Sequence, residues 1–169
     1  MRVGQAVLVD TNIIIEAVRT GCWSAIRSHF SVATVEKCRE EARTGDAHRP
    51  GYVVIDEDQL RLGLITHSVS AIEVASLMIT DAEAFRLDAG ERDLWAHAMT
   101  RNDAWLASCC DRAAVNAAIR LGWKDRLVSL EALAQSAGAR SSLRRIKSQF
   151  STNRLSEWRT AALLGSGLG

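Results

Sequence analysis

The chain has little of what would place it in several large functional classes. No stretch approaches the roughly 18 uninterrupted apolar residues of a membrane span, and the single proline, Pro50, marks a loop over residues 46–50. Neither sign of charge dominates. Against 20 Asp and Glu stand 21 Lys and Arg, a formal net charge of +1. That balance excludes a histone-like binder held to nucleic acid by bulk positive charge, while leaving room for an enzyme that grips a short stretch of backbone. None of the four cysteines, Cys22, Cys38, Cys109 and Cys110, forms a C-x-x-C pair, so reduced, structural thiols in a cytoplasmic protein are expected. His29, His48, His67 and His97 show no metal-binding spacing. A Ser-His-Asp arrangement and a glycine-rich phosphate loop are both missing, so hydrolase-triad and nucleotide-binding chemistry gain no support.

What the chain does have is size and pattern. Its 169 residues, 47% hydrophobic and 24% charged, suffice for one soluble globular core. The start, Met1-Arg2-Val3-Gly4-Gln5, leads straight into an apolar run, so no secretory leader is expected. That run, Ala6-Val7-Leu8-Val9, has the length and branching of a buried strand, and Asp10-Thr11-Asn12 follows it. A carboxylate at the carboxyl end of a first parallel strand stands where open α/β sheets place their ligands.

Further elements follow at regular spacing. Helices are expected over 12–19, capped by Thr11 or Asn12 and broken by Gly21, and over 22–30. A strand at 31–33 leads to a helix capped by Thr34, with Val35, Cys38 and Ala42 on its buried face. An edge strand at 53–55, an ambiguous stretch at 60–64 and a helix over 68–79 come next. Gly90 opens a strong helix with a Leu94, Trp95, Ala98 and Met99 stripe. Residues 104–110 form the second clear buried strand, ending at Asp111. A helix over 112–120, a last short strand at 127–130 and a helix over 131–136 complete the pattern. This alternation implies a three-layer α/β/α domain with a central, mainly parallel sheet over residues 1–138. Residues 139–164 change character: Arg144, Arg145, Lys147, Arg154 and Arg159 are interleaved with apolar residues, as in a basic amphipathic helical extension. Residues 165–169 read as a disordered tail.

Acids recur beside the apolar segments, at Glu40-Glu41, at Glu91 and Asp93, and at Asp111. Carboxylates gathered on one sheet edge repel one another unless a divalent cation lies among them, and hard oxygen donors suit Mg²⁺ or Mn²⁺. Each acid also has an ordinary explanation. Asp10 and Asp111 could cap helices, although Thr11 and Asn12 could cap the first without Asp10. Glu91 and Asp93 suit a helix dipole, and mid-helix Glu40 or Glu41 could be solvated surface charge. Glu41, next to the Val35/Cys38/Ala42 stripe, is favoured over its rival Glu40, while spacing does not choose between Glu91 and Asp93.

The order of these motifs resembles a PilT N-terminus (PIN) domain, a metal-dependent ribonuclease family that includes toxins of toxin–antitoxin pairs. Leu8-Val9-Asp10-Thr11-Asn12 matches its first motif, and Glu41-Ala42-Arg43-Thr44-Gly45, downstream of Thr34, its second. Gly90-Glu91-Arg92-Asp93 matches the third, and Ser108-Cys109-Cys110-Asp111 the fourth. The likeness covers about residues 6–136. It departs where the family often has Thr-x-Asp or Asp-Asp, since Cys110 precedes Asp111, and where Glu-Ala replaces Glu-Leu. The resemblance implies an Mg²⁺- or Mn²⁺-dependent endoribonuclease. Asp10, Glu41, Glu91, Asp93 and Asp111 are its candidate ligands, and Asn12 or Thr11 would orient Asp10 or a metal-bound water. It implies an RNA substrate, an antitoxin protein as a partner if the chain is a toxin, and no membrane. Arg112 and the Arg144/Arg145/Lys147 group would touch the RNA backbone, or the extension would serve a partner or a homodimer. The rival readings are a catalytically decayed RNA- or protein-binding module, and a phosphatase- or receiver-like domain with Asp10 as phosphoacceptor. The absence of Asp-x-Asp after the first strand argues against the last.

Overall fold

The computed structural model describes residues 1–44, 55 and 57–165. Most of the expected strand at 53–55 and the loop at 46–50 lie outside the described residues, and Ile55 is buried without strand pairing.

Strand β1 (Ala6–Val9) is followed by helices α1 (Thr11–Thr20) and α2 (Trp23–His29), and then by β2 (Ser31–Val35) and α3 (Glu36–Thr44). A short α4 (Glu57–Arg61) precedes β3 (Leu64–His67), α5 (Ala71–Thr80) and α6 (Ala89–Met99). The last strand, β4 (Trp105–Ser108), leads to α7 (Arg112–Arg120), α8 (Leu130–Ser136), α9 (Arg140–Leu143) and α10 (Thr152–Gly165). The four strands pair in the order β3-β2-β1-β4, all parallel. Helices cover both faces, which is why β1 and β2 are apolar almost throughout. Side-chain alternation along β1 divides the core. Leu8 faces Leu94, Trp95, Val115 and Leu155, while Val7 and Val9 face Ile13, Ile14, Ile26, Leu130 and Phe150. The α/β architecture with a central parallel sheet is thus the one the alternation implies.

Local chemistry explains several boundaries. Gly21 ends α1 in the left-handed region at φ 76°, where its N–H reaches back to Ala17 and Val18. Ser70 and Glu73 form a reciprocal capping box that starts α5 three residues later than the expected 68. Three expectations are corrected. Thr34 is not a helix cap: it lies in β2, and its buried hydroxyl donates to the Val9 carbonyl oxygen at 2.7 Å, riveting β2 to β1. Among the described residues, β3 begins at Leu64, the last residue of the ambiguous stretch, and forms one edge of the sheet, β4 forming the other. The strand expected at 127–130 shrinks to one bridge between Leu127 and Ala107, because Ser129 caps α8 and turns Leu130 into a helix. Gly165, placed by pattern in a disordered tail, closes α10.

The extension beyond residue 139 packs into both cores. Phe150 is buried beside α1 and α8, and Leu155 beside α7. Burial of such side chains contributes about 2 kcal/mol each. The backbone N–H of Lys147 donates to buried Glu16 at 2.9 Å, and Arg159 donates to the Leu127 carbonyl. These contacts fasten the extension to α1 and to the sheet margin.

Candidate functional site

Asp10 follows β1 at its carboxyl end and is 2% exposed. Its Oδ1 accepts the Ile13 N–H at 2.7 Å, so Asp10 itself caps α1, not Thr11 or Asn12 as expected. Oδ2 accepts the Cys110 N–H at 3.3 Å, tying β1 to the turn after β4. Two backbone donors favour the carboxylate, but burial outweighs them. With Asp88 and Asp111 adding repulsion, the Asp10 carboxyl is pushed up to about 7.

Glu91 lies in the first turn of α6 and is 6% exposed. Burial pushes its carboxyl up to about 8, and Asp88, Asp111 and Asp10 push it further in the same direction. Asp111 begins α7 from the end of β4, accepting from the N–H groups of Ala113 at 2.6 Å and Ala114 at 3.4 Å. It is exposed. Its capping role and its place in the acidic cluster therefore coexist.

The fourth member of the cluster escaped sequence reasoning. Asp88 caps α6, accepting the Glu91 N–H at 2.8 Å, and its charge reaches both Asp10 and Glu91. The available signal was an Asp three residues ahead of a Glu before an apolar run, the usual signature of a helix start.

Glu41 stands at the margin of this group. The Thr11 hydroxyl lies 2.9 Å from its Oε2 and 3.3 Å from the Cys38 carbonyl oxygen, sharing one proton between them. Gly90 makes the packing of α3 on α6 possible. A Cβ at Gly90 would sit 2.6 Å from Glu41 Oε2 and 3.0 Å from Cys38 Sγ. Glu40 points elsewhere: it is exposed and bonds Lys37 at 3.0 Å. Asp93 is half-buried, its carboxyl raised by desolvation and lowered by the neighbouring Arg92 and Lys37. Its charged neighbours are thus Arg92 of its own helix and Lys37 of α3, not Asp10. Asn12 is exposed on the first turn of α1, and Arg112 is exposed beside Asp111. Arg145 lies against Gly21 at the far end of α1, about 15 Å from Asp10 by helix rise. Arg145 therefore sits a helix length from Asp10, while the Lys147 backbone lies against Glu16, midway along α1.

In kind, the donors suit a hard divalent cation: buried or clustered carboxylates whose charges repel. Their present spacing is looser than a ligand set. Among the described residues no group of three His, Cys, Asp or Glu side chains stands close enough to hold one ion. All four cysteines are free thiols. Among the described residues, no helix is long and apolar enough to cross a membrane. No protein-family model, curated protein or solved structure matches the chain.

Proposed function

We propose that the chain is a metal-dependent endoribonuclease of the PIN kind, cleaving RNA phosphodiesters at the carboxyl edge of its parallel sheet. One observation carries the reading. Asp10, Asp88, Glu91 and Asp111, drawn from three distant stretches of sequence, converge there with their charges uncompensated. Buried acids at that cost are a mark of functional sites. Asp10, Glu91 and Asp111 would hold Mg²⁺ or Mn²⁺, with Asp88 adding charge and Glu41, steadied by Thr11, at the margin. A bound ion would lower the pKa of a water and neutralise charge on the phosphate oxygens. Because Asp10 and Glu91 bind protons near neutrality, metal uptake would release protons and strengthen as pH rises through 7 to 8. Arg112, exposed beside Asp111, would meet the RNA backbone. Water attack would leave 5′-phosphate and 3′-hydroxyl ends. The reading places the reaction in the cytoplasm, with an antitoxin protein as partner if the chain is a toxin.

A second reading has its own support. The absence of a ready three-ligand group among the described residues favours a decayed RNA- or protein-binding module. One experiment separates the two: a mixed single-stranded and structured RNA pool is incubated with wild type and Asp10→Asn in Mg²⁺, Mn²⁺ or EDTA. The nuclease reading expects cation-dependent cutting that falls at least 100-fold in the variant. A wild type that is inert with both cations yet retards RNA on a gel establishes the binding module instead.

A further inference from the structure

Away from the carboxylates, two histidines from different elements lie face to face. The rings of His67, the last residue of β3, and His97, near the end of α6, stack with centroids 4.1 Å apart and planes 20° from parallel. His97 is 9% exposed, and its buried Nε2 has no hydrogen-bond partner. Near-parallel rings direct their in-plane lone pairs side by side, not toward a common point, so the pair is not built to share a metal. It is built to be neutral. Protonation would place a cation against its neighbour and bury an N–H without an acceptor.

The charged groups around the pair do not offset that cost. Glu73 of α5 is engaged by the Ser70 N–H at 2.6 Å and the Ser70 hydroxyl at 2.7 Å in its capping box. Asp103, in the turn after α6, is held by Arg101 at 2.6 and 2.9 Å. Arg101 itself opposes protonation of both rings. Both imidazoles are accordingly depressed below the ordinary 6.5, burial being the largest cause for each.

We propose that the His67–His97 stack is an acid-operated pin joining edge strand β3 to α6, closed when both rings are neutral and opened by protonation. A depressed histidine contributes stability that is complete above 6.5 and is lost as pH falls through the folded value. Because β3 pairs only with β2 among the described residues, the loss falls on that margin first, whereas β1 is paired on both sides. The consequence is local opening of β3 in mild acid with the sheet centre intact.

Hydrogen–deuterium exchange of wild type at pH 7.5 and 5.5, corrected for intrinsic rates, reads this directly. The β3 amides are expected to lose at least tenfold protection at the lower pH while those of β1 keep theirs. In imidazole NMR titrations, His67→Phe, which keeps a ring in the stack, is expected to move the His97 midpoint up toward 6.5. Parallel loss in β1 and β3, or β3 protection that is independent of pH, overturns the proposal using wild-type protein alone. An unmoved His97 midpoint in His67→Phe, or in His67→Gln should the first variant fail to fold, overturns the coupling. None of these outcomes depends on nuclease activity.

Discussion

Four carboxylates of equal burial are treated by the fold in two opposite ways. Glu16 and Asp81 are 2% and 6% exposed, the same values as Asp10 and Glu91. Glu16 receives Arg19 through two bonds of 2.6 and 2.7 Å and the Lys147 N–H as well. Asp81 receives Arg120 through bonds of 2.9 and 2.7 Å. In both cases desolvation is offset inside the chain, and the pair fastens two elements: α1 to the extension, and the end of α5 to α7. At the sheet edge the neighbours of Asp10 and Glu91 are further acids. Burial alone therefore says little about a carboxylate's role. What matters is whether the chain supplies the opposite charge.

The largest expected effect comes from erasing that distinction. Arg120→Ala would turn Asp81 into an unpaired buried acid like Asp10, at a loss of about 3 kcal/mol in urea unfolding. A loss below about 1 kcal/mol would mean that the pair is merely a surface contact. The converse change should stabilise. The raised Glu91 carboxyl costs nothing below its ordinary 4.5, where it is protonated folded and unfolded alike. The cost grows as pH rises toward about 8. Glu91→Gln should thus match wild type at pH 4 and exceed it by a gap that opens as pH rises from 4.5 to about 8, read from unfolding midpoints at pH 4 and pH 9. The smallest effect belongs to the margin of the cluster. Thr11→Val removes the hydroxyl shared by Glu41 and Cys38 and should cost about 1 kcal/mol. No measurable change there would show that solvent replaces the bond.

The parts of this molecule legible in its sequence are those written locally. β1, β4 and the helix beginning near Gly90 announce themselves by apolar runs and first-turn acids. Asp10 and Asp111 stand where those runs stop. The parts that were not legible depend on partners distant in the chain. Nothing near Thr34 indicates that Val9 needs a donor. Nothing in 60–67 distinguishes a strand from a turn until β2 lies alongside it. Asp88 is readable as a helix start, but its place in the cluster comes from Asp10, seventy-eight positions away. The extension reads as an appendage: Phe150 and Leu155 are visible among its apolar residues, but the space they fill is formed by elements far away in the chain. The choice between Glu91 and Asp93 was invisible for the same reason. Both are acids near the start of one helix, and what separates them, burial and neighbouring charge, is set by the packed fold.

The pairing of β1 with β4 has a consequence for how the protein is made. Asp111 leaves the ribosome 101 residues after Asp10. At about 5–20 residues per second, that delay is about 5–20 s. Until it ends, the first acid has neither the Cys110 amide nor the repulsion of Asp111. The acidic edge is therefore silent on the nascent chain and comes into being only once the fourth strand is in place.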